Sequence, residues 1–380
     1  MVAFVALMSV FGLGIIFSII GALKLDLAKV LNIDDAKVGG LISSLMFTSM
    51  IMVLIIGPLV DAFGHKPLAI VGFLVAFAAI FLLIGAKSYR IAVLSCILLG
   101  VGGMCLNTVG NTLMPYVIFG GQNAPAALNL GNTFFGLGAF VTPLIIGLLL
   151  KKLGYKTTGN IIAIIIFIPV FFAILAKGFP EVPAGFPVSE AIGLLTKGIV
   201  ISAALALFCY IALEASMGGW ISTYLNSLGF TERSANLTLS AFWISLMAGR
   251  LLAAGFGVKP IVTPELGVLP IVILSVISII TILLMILAKS KSLAGFAVVL
   301  TGLAFGPIFP TIIGIMFSKV EPTLRGSAFG ISFAIGLIGA STIPAAIGIY
   351  SKGKTIQRSL MIAMITAIAL FITTIIMGWF

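Results

Sequence analysis

The sequence predicts an all-α membrane protein in which twelve transmembrane helices form two pseudo-symmetric six-helix bundles. Three observations carry that expectation: a composition too apolar for water, a succession of uncharged runs of spanning length, and short matches between the two halves of the chain. Of 380 residues, 61% are hydrophobic and 8% charged, and the mean hydropathy is +1.32. A water-soluble domain carries roughly 25% charged residues, so a soluble chain this apolar could not cover its surface with polar groups. Lipid removes the difficulty. A bilayer core of roughly 30 Å asks for about 20 apolar residues per helix, and only helices or closed barrels satisfy their backbone groups there. Barrel strands would alternate in polarity; the runs here are continuous, which selects helices.

Charged residues and Gly/Pro turns divide the chain into segments. Segment 1 covers 2–23, followed by a short amphipathic linker over 24–37. The first run lacks a basic leading region and a small-residue cleavage site, so it reads as a spanning helix rather than a cleaved leader. Segments 2 and 3 cover 38–59 and 68–86. From 91 to 150 there is no Asp, Glu, Lys or Arg, a run too long for one crossing. Gly120-Gly121-Gln122-Asn123-Ala124-Pro125 breaks it into segments 4 and 5. Segment 6 covers 159–176. A Pro-rich stretch with Pro180, Pro183 and Pro187 then reads as a linker between halves. Segments 7 to 12 cover 198–225, 234–257, 266–288, 293–318, 326–350 and 359–380. The expected domains are an N-terminal six-helix bundle over 1–177, a central cytoplasmic linker over 178–197 and a C-terminal six-helix bundle over 198–380.

The halves resemble one another in order. Thr142-Pro143-Leu144-Ile145-Ile146-Gly147 in segment 5 has a counterpart in Ile343-Pro344-Ala345-Ala346-Ile347-Gly348 in segment 11. Gly100 in segment 4 matches Gly302 in segment 10, and Gly57-Pro58-Leu59 after segment 2 matches Gly249-Arg250-Leu251 near the end of segment 8. Three matches in corresponding segments argue for duplicated halves, a construction common among transporters.

Other classes fall away on the same reading. Cys96, Cys105 and Cys209 lie in apolar runs and form no disulfide framework. The formal charge of +11 comes from basic residues scattered singly between runs, which suits interfacial anchors and not nucleic-acid binding. An intramembrane enzyme needs converging nucleophile, base or metal ligands; the single histidine, His65, lies in a loop, so no enzyme is expected and no cofactor beyond a coupling H⁺ or Na⁺.

The stretch Gly57-Pro58-Leu59-Val60-Asp61-Ala62-Phe63-Gly64-His65-Lys66 between segments 2 and 3 resembles the signature loop of the major facilitator superfamily. Its glycines permit a tight reversal and close helix approach, and Asp61 stands where it can cap a helix end or pair with a basic group. In the second copy Ala253 replaces the aspartate while Gly249-Arg250 remains. The resemblance implies two bundles that rock around a central site, with Gly57, Asp61, Gly64, Lys66 and Arg250 forming a conformational device on the cytoplasmic side. Counting charges gives the opposite orientation: with that loop inside, most of the 21 Lys and Arg, including Lys151, Lys152, Lys352 and Lys354, would face out. The local motif is followed here, because it is a structural device and the charge rule is statistical.

Ionisable groups within spans are functional candidates by default. Glu214 is the acidic residue set well inside an apolar run, a candidate proton carrier or, ionised, a counter-charge for Na⁺. Asn107 and Asn111 share a face of segment 4, and Asn129 and Asn132 a face of segment 5. Amides supply donors and acceptors without charge, which suits a neutral polyhydroxylated solute, and Trp220, Trp243 and Tyr210 could pack against it. Interhelical amide bonds and interfacial aromatic belts remain alternatives for each.

A narrower resemblance is to the fucose permease branch of that superfamily, which includes sodium-dependent glucose transporters. It rests on Glu214-Ala215-Ser216-Met217-Gly218-Gly219-Trp220-Ile221-Ser222-Thr223-Tyr224, on Phe134-Phe135-Gly136-Leu137-Gly138 with Pro143, on Phe242-Trp243 leading to Gly249-Arg250, and on Gly306-Pro307-Ile308-Phe309-Pro310-Thr311. The resemblance implies acidic residues in segments 1 and 4; segment 1 has none, and segment 4 presents Asn107 and Asn111 instead. Any coupling then falls to Glu214 or to a Na⁺ site of carbonyls and amides. The expectation is a monomeric, multi-pass cell-membrane transporter of a small polar solute, a monosaccharide, working by alternating access with H⁺ or Na⁺ symport. The alternatives are a proton-antiporting exporter of drugs or metabolites, and a non-transporting receptor on the same fold.

Overall fold

A computed structural model describes residues 1–181, 188–256, 259–352 and 354–380. Pro183 and Pro187 of the expected linker, and Gly257 at the expected end of segment 8, lie outside the described residues. Fifteen α-helices follow one another among the described residues, with no strand: α1 Val2–Ala22, α2 Lys24–Leu31, α3 Asp35–Phe63, α4 His65–Ile84, α5 Tyr89–Val117, α6 Ala124–Phe167, α7 Pro169–Leu175, α8 Val188–Gly193, α9 Gly198–Ser227, α10 Glu232–Ala254, α11 Leu269–Leu287, α12 Lys291–Phe305, α13 Ile308–Lys319, α14 Arg325–Tyr350 and α15 Ile356–Met377.

Eleven helical runs among the described residues are long and apolar enough to cross a bilayer. One of them, Ala124–Leu175, has 52 residues, which at 1.5 Å per residue would measure roughly 78 Å, far beyond the hydrocarbon core. Gly154 divides it. At φ 76° and ψ 169° its backbone is one that a side chain disfavours, and the chain reverses there, so the eleven runs make twelve crossings. The loop expected over 151–158 is therefore a single-residue break between two helices.

Other boundaries move for local reasons. Segment 2 starts earlier, because the Asp34 carboxylate accepts the Lys37 amide at 2.8 Å and opens α3. The expected linker over 24–37 folds into the short helix α2, closed by Asn32 in the left-handed conformation. Segment 6 breaks at Pro169, which opens α7. Segment 10 is two helices, α12 and α13, parted at Gly306-Pro307 because Pro307 and Pro310 each remove an amide from the ladder. Ser88, Thr231, Ser290 and Thr355 cap α5, α10, α12 and α15 through their hydroxyls.

The chain forms two compact units. The first contains 1–122, 131–188 and 323–330; the second contains 123–130, 189–322 and 331–380. In the first unit α5 is the central element, packed against α1, α3 and α4. In the second, α12 lies against α10 and α11, and α15 against α9 and α11. Large apolar side chains such as Phe47, Leu54, Ile55 and Phe81 stay exposed, the surface that a lipid solvent accepts.

Each unit repeats one close crossing. In the first, a Cβ on Gly138 of α6 would strike the Phe11 carbonyl of α1; in the second, a Cβ on Gly339 of α14 would strike the Phe208 carbonyl of α9. Gly138 stands five residues before Pro143, and Gly339 five before Pro344, so the sequence match between segments 5 and 11 is also a match of packing.

Candidate functional site

Three polar clusters interrupt the apolar interior. The first surrounds the signature loop. Gly64 (φ 83°) makes the reversal between α3 and α4, a backbone for which glycine pays no Cβ penalty. Asp61, in the last turn of α3, accepts three hydrogen bonds: Oδ1 from the Gly326 amide at 2.8 Å, and Oδ2 from the Ser327 amide and hydroxyl, each at 2.7 Å. Those amides belong to the first turn of α14, which has no intrahelical acceptor for them and carries partial positive charge. The carboxylate is thus a helix cap supplied by a distant helix. Gly57 makes it possible, since a Cβ there would run into the Gly326 carbonyl.

The rest of that loop is similarly engaged. Lys66 donates to the Ala176 carbonyl at 3.1 Å, at the C-terminus of α7, where a cation is favoured. His65 is buried, and its Nε2 lies 3.1 Å from the Thr112 hydroxyl of α5. The Arg325 guanidinium sits 5.1 Å from the centroid of Tyr116, whose ring meets His65 edge to face.

The second cluster is a chain of amides in the first unit. Asn132 of α6 donates to Asn111 Oδ1 at 2.9 Å. Asn111 in turn donates to Asn107 Oδ1 at 2.8 Å and to the Asn107 carbonyl at 3.0 Å. All three are buried. Asn129 does not join them. It belongs to the second unit, where its Nδ2 donates to the Pro125 carbonyl at 2.9 Å and to the Thr311 hydroxyl of α13 at 3.0 Å. Three positions along a helix turn about 60° away from one another, enough to send Asn129 and Asn132 to different neighbours.

The third cluster is ionic and lies in the second unit. Glu214, midway along α9, faces Arg250 of α10 with Oε1 and Nη2 3.5 Å apart. The guanidinium side chain is only 3% exposed. Its Nε donates to the Gly306 carbonyl at 3.0 Å. Tyr210, one turn before Glu214, is fully buried against Phe305 and Phe309 and lies within electrostatic reach of both charges. Glu214 is thus held in a pair, which sequence position could not reveal, its partner lying 36 residues away.

The tryptophans lie apart from that pair. Trp220 donates its indole N–H to the Pro344 carbonyl of α14 at 3.1 Å, and Gly348 leaves room for its ring. Trp243 is exposed and packs edge to face on Phe242. A separate crevice of about 300 Å³ is lined by Leu252, Ala253, Val262, Leu269, Leu303 and Pro307; it offers a solute hydrocarbon and no polar side chain. Among the described residues no three His, Cys, Asp or Glu converge as metal ligands, and the three cysteines are free and buried.

Sequence reasoning passed over Gly326, Ser327, Gly306 and Thr311. A signal existed for two of them. Gly326-Ser327 opens segment 11 with small residues, as a helix N-terminus does, and Pro310 stands four residues after Gly306, stripping that carbonyl of its helical donor.

The chain matches the sequence profile of the Major Facilitator Superfamily over residues 2–344. Curated relatives include the protein TsgA of Escherichia coli O157:H7, 25% identical over 185 residues, and that of Escherichia coli O17:K52:H18, 28% identical over 189 residues. Each of these alignments takes in 47% of this chain and 46% of the relative, so the chain spans about half the length of the curated relatives it matches. Among solved structures, the E. coli fucose:proton symporter FucP in the outward conformation superposes with a TM-score of 0.80 at 20% identity, covering 98% of this chain and 97% of that one. The proton:xylose symporter XylE bound to 6-bromo-6-deoxy-D-glucose gives a TM-score of 0.75 at 12% identity over 98% and 94% of the two chains. At such identities the likeness is one of fold.

Proposed function

This chain belongs to the major facilitator superfamily, and from that premise we propose that it carries a small polar solute, a monosaccharide, across the cell membrane by alternating access, with proton symport through Glu214. As a member it is a multi-pass membrane transporter rather than an enzyme, and alternating access is the mode of its fold. The substrate and the ion are our reading. The observation that carries it is the chain of buried amides, Asn107, Asn111 and Asn132. Uncharged donors and acceptors held on two helices can exchange their mutual bonds for those of sugar hydroxyls without the cost of moving an ion. Glu214 complements them as an acidic group within a span, where a charge is expensive and a proton has a use. The names of two solved neighbours, a fucose:proton and a proton:xylose symporter, favour H⁺ over Na⁺ as the coupling ion. We assign a monomer as the working unit.

The test is uptake in proteoliposomes. With an imposed pH gradient, the protein accumulates a radiolabelled monosaccharide, and a protonophore abolishes the accumulation. Glu214→Gln loses concentrative uptake and retains counterflow. Sodium-driven accumulation that ignores the pH gradient would reassign the ion. Extrusion of lipophilic cations with no sugar movement would move the protein to the exporters, and retained sugar binding without any flux would make it a receptor.

A further inference from the structure

Gly306 and Pro310 create an unmet need inside segment 10. In an uninterrupted helix the carbonyl of residue 306 accepts the amide of residue 310, but Pro310 has none. The helix accordingly parts into α12, ending at Phe305, and α13, starting at Ile308. A buried carbonyl left without a donor is costly, and in the second unit the donor comes from α10: Arg250 Nε, at 3.0 Å. The fit is prepared by glycines on both helices. A Cβ on Gly249 would strike the Leu303 carbonyl, one on Gly302 the Phe242 carbonyl, and one on Gly306 the Leu246 carbonyl. Ser245 adds a second bond between these helices, to the Val299 carbonyl at 2.8 Å.

The same guanidinium reaches Glu214 with its Nη2, at 3.5 Å. One side chain therefore ties three helices together: it donates to the break in segment 10 with one nitrogen and faces the acidic residue of α9 with another. The charged and titratable groups bearing on Glu214 are Arg250 from α10 and Tyr210 from its own helix. A buried guanidinium that loses its carboxylate partner becomes an uncompensated charge, so whatever neutralises or engages Glu214 removes one of the two anchors that hold Arg250 on Gly306.

We propose that Arg250 is the positioning residue that transmits the state of Glu214, occupied by a proton or a solute hydroxyl against ionised and free, to the helix break at Gly306-Pro307, so that α12 and α13 change their mutual angle when Glu214 does. The inference rests on the reading of Glu214 as the coupling residue and adds the route from that residue to a moving part.

The full-length protein in proteoliposomes tests it, with spin labels at Ser292→Cys and Lys319→Cys, at exposed positions near the outer ends of α12 and α13. The distance distribution between them reads the angle at the break. The result expected is a shifted distribution in Glu214→Gln, and loss of that shift when Arg250→Gln is added. Pro310→Ala gives a second, independent arm: it restores an amide to the Gly306 carbonyl, makes the Arg250 donor dispensable, and renders the distance insensitive to Glu214→Gln. An Arg250→Gln protein that does not fold leaves the Pro310→Ala arm to decide. A shift that persists in both backgrounds, or a Glu214→Gln protein with an unmoved distance, overturns the transmission. Failure of the underlying reading looks different, because Glu214→Gln would then keep its gradient-driven accumulation whatever the distance does.

Discussion

The signature loop of the first unit and its counterpart in the second solve opposite halves of one problem. Both place a glycine where two helices cross closely, Gly57 against the Gly326 carbonyl and Gly249 against the Leu303 carbonyl. Both then use a charged side chain to complete a backbone that lacks a partner. In the first unit the backbone is short of acceptors: the opening amides of α14 face outward from a helix end, and the Asp61 carboxylate takes them. In the second it is short of donors: a proline has removed one, and the Arg250 guanidinium supplies it. The sign of the charge follows from the kind of break. A helix start asks for an anion, a proline-freed carbonyl for a cation. That accounts for the sequence change between the two copies, where Ala253 stands in place of the aspartate and arginine follows the glycine.

The two devices differ in self-sufficiency. Asp61 has all its charge engaged by hydrogen bonds to neutral groups, whereas Arg250 also depends on Glu214. Removing Arg250 therefore has the larger effect. Arg250→Ala strands a carboxylate inside a span and is expected to lower stability by about 3–5 kcal/mol, measured as a fall in melting temperature of the purified protein. Adding Glu214→Gln recovers part of that loss, because it discharges the stranded group; a double variant no better than the single one would break the comparison. Next comes Asp61→Ala, expected to cost about 3 kcal/mol by leaving two amides and the Ser327 hydroxyl unmet, with Asp61→Asn losing less since one acceptor oxygen stays.

The glycines come third. Gly57→Ala and Gly249→Ala each force a methyl onto a carbonyl and should cost about 2 kcal/mol, of similar size in the two units; a marked inequality would show that the two crossings are not equivalent. The smallest effect is expected at the amide chain. Asn111→Ala removes the middle link between Asn107 and Asn132 and should cost about 1 kcal/mol in stability, while weakening solute binding more than Asn129→Ala, whose amide serves Thr311 instead. Isothermal titration with the transported monosaccharide compares the pair.

Much of this architecture was open to reading along the chain. The twelve crossings follow from run lengths, and even the missed merger over Ala124–Leu175 keeps the count, because no helix of 52 residues fits one bilayer. The reversal at Gly64 and the kinks at Pro169 and Pro307 are local properties of glycine and proline. The site was read less well, and for an identifiable reason. A shared helical face says that Asn129 and Asn132 look in broadly similar directions; it does not say which neighbours fill those directions. Glu214 stood out because it is alone in its run, yet its partner lies on another helix, in a motif read as part of a surface loop device.

Chemistry inscribed in the chain alone settles solvent, class and repeat. A backbone in lipid must bond to itself, so apolar length dictates helices, and duplicated Gly and Pro positions dictate duplicated crossings. Packing settles partnership. Hydrogen bonds reach about 3 Å, and which donor arrives within that distance of Asp61, Asn129 or Gly306 depends on how helices remote in sequence cross, a choice made by side-chain shape across the whole unit and by no residue's neighbours along the chain.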